Sequence, residues 1–482
     1  MKSLTYKVAL NTVVQTIGKV VVVGTSVVTI SFLTRYLGQK GFGEYTSAMT
    51  YLGFAGIIVD MGMYLVVVRE ITNNRQRAEE ILGNSLGLRL VLGAIVMGLS
   101  PLIAWWFFPY SPVVDWSIGI GALSFFLIAL NQILVSVFQI DMKMWKLVVG
   151  EVLGRLAILA GTYYFILQKG DLLDFMWANV VGNVVLFGMS FIFARKYVSI
   201  VPRFDWKVWK PMLRETLPLA VVVLLNRIYF NVDTLFLSVL RTQEEVGAYG
   251  LPYKVLDIVI TFPSIFSGLI FPSLAQHALT SKVELARVYQ KAFDFLVVMA
   301  LPMVVGLCVL SRPIVHILGG DQFVDSPYLL RILSIAVTFV FFSTLSNNLV
   351  IAVQKQKRLM LISLISVVVN VALNLWLIPK YSYFAAAWIT VLTEFLVMAL
   401  SGWFVWESIK IIPNGKIAMK SLLAAIVMGV FLMYVRHYNL FLAVAAGGLL
   451  YFGVLYLVGG LPREVMEKLL GQKIVDKLGI RN

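Results

Sequence analysis

A single cysteine, Cys308, among 482 residues excludes an internal disulfide, and histidines scattered at 277, 316 and 437 offer no metal cluster. No phosphate-binding glycine loop or nucleophile elbow occurs, and no segment between the apolar runs is long enough to form a catalytic domain. Energy for any transport must therefore come from an ion gradient or from downhill flux. Charge is scarce: Asp, Glu, Lys and Arg make up 13% of the chain, against roughly 25% in soluble domains.

What fills that space is apolar. Sixty per cent of residues are hydrophobic and the mean hydropathy is +0.87, so the solvent implied is lipid, whose ~30 Å core takes about 20 apolar residues per helix. Apolar runs of that length lie at 8–33, 43–68, 81–108, 116–138, 147–167, 172–194, 216–240, 247–271, 293–317, 327–353, 359–379, 383–407, 418–435 and 440–458. They predict an all-α polytopic membrane protein with about 14 transmembrane helices. The first run is too long for a cleaved signal and is expected to stay as the first helix.

The net charge of +15 would suit nucleic acid in a soluble chain. Here it distributes by loop. With the amino terminus inside, 27 Lys and Arg fall in inside segments and only 7 (Arg35, Lys40, Lys169, Arg241, Arg312, Lys380, Arg436) in outside loops. One helix too many or too few would invert every later loop, so the charge asymmetry supports both the count and cytoplasmic termini in a cell membrane. No nucleic acid partner is expected.

The inside loop around 196–215 separates a first six-helix lobe, 1–195, from a second, 216–407. Helices 13 and 14 (408–458) read as an appendage, and 459–482 as an amphipathic cytoplasmic tail. Gly43 to Tyr45 is echoed by Gly247 to Tyr249 at an offset of 204, Phe32-Leu33 by Phe236-Leu237, and Asn131 by Asn347. Equal orientation of the two halves implies a parallel repeat about an axis along the membrane normal.

Six cations remain inside apolar runs: Lys19, Arg89, Arg155, Arg227, Lys254 and Arg331. Each costs about 2.5–3.5 kcal/mol at a helix centre and needs water, a partner or a route to the surface. Lys19 is too deep for easy snorkelling and continues a polar stripe from Asn11 and Gln15. Arg227, Asn231, Thr234 and Ser238 share a face of the seventh helix, with Asn226 and Asp233 alongside. In the eighth, Tyr249 and Tyr253 are spaced to stack, and Lys254 and Asp257 to neutralise one another. These residues line a cationic cavity or act as interhelical packing glue. Glu151 and Arg155 read as a structural pair, Arg89 as reaching cytoplasmic headgroups, and Arg331 as anchoring or lining the outer vestibule. Asp60 and Glu394 read as unpaired carboxylates, candidates with Asp233 for ion coupling.

TRYLGQKGFGEYTSAMTYLGFAGIIVDMGM (Thr34 to Met63), VDTLFLSVLRTQEEVGAYGLPYK (Val232 to Lys254), the Arg312 to Leu333 stretch and Asn347 to Glu394 together resemble polysaccharide-export flippases. These form the oligosaccharide branch of the multidrug/oligosaccharidyl-lipid/polysaccharide exporter superfamily. The resemblance implies two six-helix lobes around a central cavity that opens alternately to each side, and a polyprenyl-phosphate or pyrophosphate cargo carrying a sugar chain. No cofactor is implied. Lys19 and Arg227 would then attract the phosphate, and Tyr249, Tyr253 and the polar face that carries Asn231 would contact sugar, with Gln15, Lys254 and Arg331 as further substrate-binding candidates. Membrane lipids, a polysaccharide polymerase or glycosyltransferases would be partners. Tyr381 to Phe384 departs from the family's pattern, which has a glycine-containing turn there. A drug or metabolite exporter and a cell-wall lipid-precursor flippase are the competing readings within the superfamily. A polymerase or ligase would need reactive groups on a larger outside loop.

Overall fold

The computed structural model describes residues 4–460 apart from 142 and 411, without the side chains at 4–13, 218, 219, 222, 226, 408 and 409. The expected tail past residue 460, Asn11 and the Asn226 side chain thus lie outside the described residues. Those described form fourteen α-helices and one short 3-10 turn, with no strand among them. They are α1 (Leu4–Asp60), α2 (Met63–Asn73), α3 (Ala78–Phe107), α4 (Pro112–Ile140), α5 (Met144–Leu167), α6 (Leu172–Ala194) and α7 (Trp206–Leu240). There follow α8 (Gln243–Thr280), α9 (Lys282–Val309), α10 (Ser311–Gly319), α11 (Ser326–Ala352), α12 (Gln356–Ile409), α13 (Lys416–Val435) and α14 (Leu440–Leu457).

Fourteen helices and fourteen crossings are different sets. Ten helical runs are long and apolar enough to cross a membrane. Two of them are each two helices joined at a kink, α1 at Gly38 and α12 at Ser382, and each is long enough for two crossings. With α5 and α7, helices of 24 and 35 residues, the expected fourteen are accounted for. The multi-pass, all-α membrane fold follows, and exposed Trp105, Trp106, Phe107 and Trp116 gather aromatic side chains where α3 meets α4, as at a membrane interface.

The breaks explain where the hydropathy reading erred. Its second span is interrupted at Met61 and Gly62, both at positive φ (47 and 67), and finishes as α2. Its ninth ends at Val309, with α10 a separate short helix. At the point where a glycine-containing turn was expected, Ser382 itself takes φ 53, ψ −138, a region that disfavours any side chain by about 1–3 kcal/mol. Ser382→Gly should therefore raise the thermal midpoint of the purified protein by the equivalent of ~1 kcal/mol. An unchanged or lower midpoint in a thermal scan would show that the turn is unstrained.

Two compact units result. The first comprises Met1–Gly250 with Leu318–Gln322 and Ile378–Ser382, and the second the remainder. Helix α7 packs on α1, α2 and α3 and belongs to the first unit, so the division between compact units falls at Gly250 and not in the 196–215 loop.

Within the first unit, loops sort by end. At one end Arg75 pairs with Asp141, Arg69 with Glu215, and Arg203 N donates to Gly83 O at 2.9 Å. At the other, Thr34 Oγ1 donates to Leu318 O, Tyr36 Oη to Gly170 O at 3.0 Å, and Gln39 Nε2 to Glu244 O at 2.9 Å. The first set contains segments read as inside, the second segments read as outside. In the second unit α9 packs against α11 and α13, and α13 against α14. Tyr451 of α14 is fully buried and its hydroxyl donates to Val298 O of α9 at 2.8 Å. Helices α13 and α14 are thus built into the second unit's core and are no appendage.

Candidate functional site

Helix α1 approaches α5 closely at Gly18, where a Cβ would overlap Val148. That approach brings the exposed Lys19 within electrostatic reach of Glu151, whose other cationic neighbour is Arg155. Glu151 thus serves two cations, and the group keeps a net positive charge. Gln15, one turn before Lys19, is half-buried. Arg155 is also in electrostatic reach of Tyr45, whose hydroxyl meets Asn179 Oδ1 at 3.4 Å. Asn183 Nδ2 donates to Ser124 Oγ at 2.6 Å, which completes a polar seam between α4 and α6. Hydropathy did not single out this seam; its only sequence signal is the four-residue spacing of Asn179 and Asn183.

On α7, Arg227 is half-buried and its guanidinium occupies the space that a Cβ on Gly53 would need. Glycine at 53 is therefore the seat of Arg227 on the second arm of α1. Asn231 is half-buried. Asp233 is buried at 2% exposure and accepts a hydrogen bond from Tyr249 Oη at 3.3 Å. Tyr249 is itself fully buried, so in this conformation it is a packing residue with no open face for a sugar. Ser238 shares a 2.9 Å hydrogen bond with Tyr110.

The first unit also holds the repeat-related turns. Gly43 and Gly247 meet backbone to backbone: a Cβ on Gly43 would overlap the Gln243 carbonyl, and one on Gly247 the Gln39 carbonyl. Gln39 and Gln243 share the offset of the two glycines, so the contact is reciprocal. Ser47 Oγ adds a 2.6 Å hydrogen bond to Gln243 Oε1. Glycine is required at both positions by this approach alone.

Two sequence readings are corrected here. Arg89 does not reach headgroups: it is fully buried, pairs with Asp60, and donates to Ala129 O at 2.5 Å and to Asp60 O at 3.3 Å. Asp60 is accordingly not unpaired. The helix break at Met61 and Gly62 leaves carbonyls at the end of α1 without helical donors, and the Arg89 guanidinium supplies one to Asp60 O.

The remaining candidates lie in the second unit. Tyr253 is buried, and the boundary of the units separates it from Tyr249. Lys254 Nζ meets Asp257 Oδ2 at 3.3 Å, both half-exposed, as their spacing predicted. Arg331 donates to Ser311 Oγ at 2.9 Å and lies 5.3 Å over the Tyr328 ring, which ties α11 to α10. Glu394 is buried at 5% exposure and has interaction partners, so it too is not isolated. Among the described residues no group of His, Cys, Asp or Glu could hold a metal ion.

A family profile described as "Polysaccharide biosynthesis protein" matches residues 32–328. A putative O-antigen transporter of Shigella flexneri is 21% identical over 370 residues, 74% of this chain and 88% of that one. A probable low-salt glycan biosynthesis flippase of Haloferax volcanii is 22% identical over 372 residues, 76% of each chain. Among solved structures, the lipid II flippase MurJ in an inward closed conformation superposes with a TM-score of 0.77 at 13% identity, covering 93% of this chain and 98% of that one. This last likeness establishes the fold.

Proposed function

Since the chain belongs to the polysaccharide biosynthesis protein family, within the multidrug/oligosaccharidyl-lipid/polysaccharide exporter superfamily, we propose that it is a transporter, not an enzyme, and flips a lipid-linked oligosaccharide from the inner to the outer leaflet. The cargo is a sugar chain on a polyprenyl phosphate or pyrophosphate. It crosses by alternating access through a cationic cavity, for assembly of a cell-surface polysaccharide, and both termini are cytoplasmic. The observation that carries this reading is Lys19: an exposed ammonium in the middle of an apolar helix, beside a cluster that keeps net positive charge. A bilayer opposes such a charge by about 2.5–3.5 kcal/mol, and an anionic headgroup in transit relieves it.

Arg227 is the second phosphate contact, seated against Gly53, and Gln15 and Asn231 are further contacts to the cargo. The reciprocal Gly43 and Gly247 contact supports the parallel repeat read over 1–195 and 216–407, and in this conformation it closes the end of the first unit that we assign to the outside.

Lys19→Ala and Arg227→Ala should each lower export of the glycan at least tenfold at wild-type protein levels in the membrane. Full export by both variants would remove the cationic cavity from the mechanism. Depletion of the protein, followed by mass spectrometry of the carrier lipids, should show one lipid-linked oligosaccharide accumulating on the inner leaflet. Accumulation of a cell-wall precursor alone, or of none, would overturn the assignment.

A further inference from the structure

The entrance to α5 collects positive charge without an anion. Lys143 is its N-cap residue, no side chain caps the helix, and its first turn carries no acid. Lys146, in that same turn, is 9% exposed. Its ammonium donates to Tyr197 Oη and lies 4.4 Å from the Tyr197 ring centroid, 5.4 Å from Phe193 and 5.5 Å from Trp145. Lys143 sits over the same tyrosine at 3.7 Å. The nearby carboxylates are engaged elsewhere, Asp141 by Arg75 and Glu79 by Ser199 N at 3.2 Å. Among the described residues neither lysine meets a carboxylate.

A helix start already carries about half a positive charge, and each cation placed there is unfavourable by about 0.3–1 kcal/mol. Two lysines converging on an uncapped start make sense as the receptor for an anion, which the free N–H groups of the first turn would also bind. The hydrogen bond from Lys146 holds the Tyr197 phenol below its ordinary pKa, as expected where positive potential is concentrated. Exposed Arg195 and Lys196 at the end of α6 add to that field. Trp145, 46% exposed beside the pair, is the residue type that seats at the depth of lipid headgroups.

We propose that this cluster binds the phosphodiester of an anionic phospholipid of the inner leaflet, with Lys143, Lys146 and the first N–H groups of α5 on the phosphate and Trp145 against the upper acyl chain. The site lies wholly within the first unit and shares no residue with the proposed transport path. Its occupant is a resident lipid that braces the α5 start against the end of α6.

The test uses the full chain in nanodiscs of phosphatidylcholine, with and without phosphatidylglycerol. Phosphatidylglycerol should raise the thermal midpoint of the wild type, and native mass spectrometry should show one such lipid retained. Lys143→Gln/Lys146→Gln should lose that increment and retain the lipid about tenfold less, whereas Lys143→Arg/Lys146→Arg should keep both. Should the double glutamine variant fail to fold, Lys143→Gln alone, at a half-exposed position, should lower retention severalfold. Equal retention by wild type and folded glutamine variants would overturn the proposal. So would equal stabilisation by inorganic phosphate, which would mark a site for the free anion, or preferential retention of a polyprenyl phosphate, which would mark a site for cargo.

Discussion

Gly43→Ala or Gly247→Ala should deprive the protein of the conformation described here. At each position the added methyl meets a backbone carbonyl of the other turn, which no rotamer change can move aside. Overpacking of this kind disfavours the state that contains the contact by about 1–3 kcal/mol, enough to shift a two-state equilibrium roughly 5- to 150-fold. Either substitution should leave insertion intact and lower transport at least tenfold, because a transporter held away from one of its states cannot complete the cycle. With Cys308 changed to serine, a cysteine placed at Lys40 reports the shift. An impermeant thiol reagent added from outside should label it faster in the glycine variants than in the parent. Identical labelling rates together with normal transport would show that the crossing has no part in the cycle.

Arg89→Ala should be the most destabilising single change in the first unit. Removing one partner of a buried ion pair typically costs about 3–5 kcal/mol, because the other charge is stranded. Here the loss should fall toward the lower figure, since the Asp60 side chain retains 34% exposure. Two carbonyls, those of Asp60 and Ala129, lose their donor as well. Expression should fall and the thermal midpoint of any purified protein should drop by several degrees. The double change Arg89→Met/Asp60→Leu, which removes both charges and fills the volume, should recover most of the loss. A wild-type midpoint for Arg89→Ala would show that the pair contributes nothing. Export by the double variant bears on a separate matter: retained transport would exclude Asp60 from ion coupling.

Much of the architecture was legible beforehand because membrane insertion is read locally. Each span is a statement about twenty neighbouring residues, and each loop's side about a few lysines and arginines. Both quantities survive intact in a one-dimensional string. The misread places are where a helix ends inside an apolar run: at Met61 and Gly62, both at positive φ, and at Val309, where α9 gives way to the separate α10. An apolar run cannot reveal a residue at positive φ within it.

The candidate site was legible in type and not in pairing. Lys19, Arg89, Arg227 and Lys254 all stood out as cations in apolar helices, yet their surroundings proved unlike. Lys254 met the acid three residues away, which helical spacing foretold. Arg89 met Asp60, twenty-nine residues earlier and across a helix break, and Lys19 came within electrostatic reach of Glu151 on another helix. Tyr249, which the family resemblance made a sugar contact, is fully buried with its hydroxyl on Asp233. Asp233 had been grouped with Arg227 because the two share a helix.

What this sequence determined by itself was the solvent, the all-α polytopic fold and the list of charges that need an explanation. These follow from transfer free energies that act residue by residue. Only the tertiary structure decided which charge answers which, that the echoed glycines touch each other's repeat, and that α13 and α14 share a core with α9. Those outcomes depend on distances between residues far apart in the chain, and a sequence carries no term for distance.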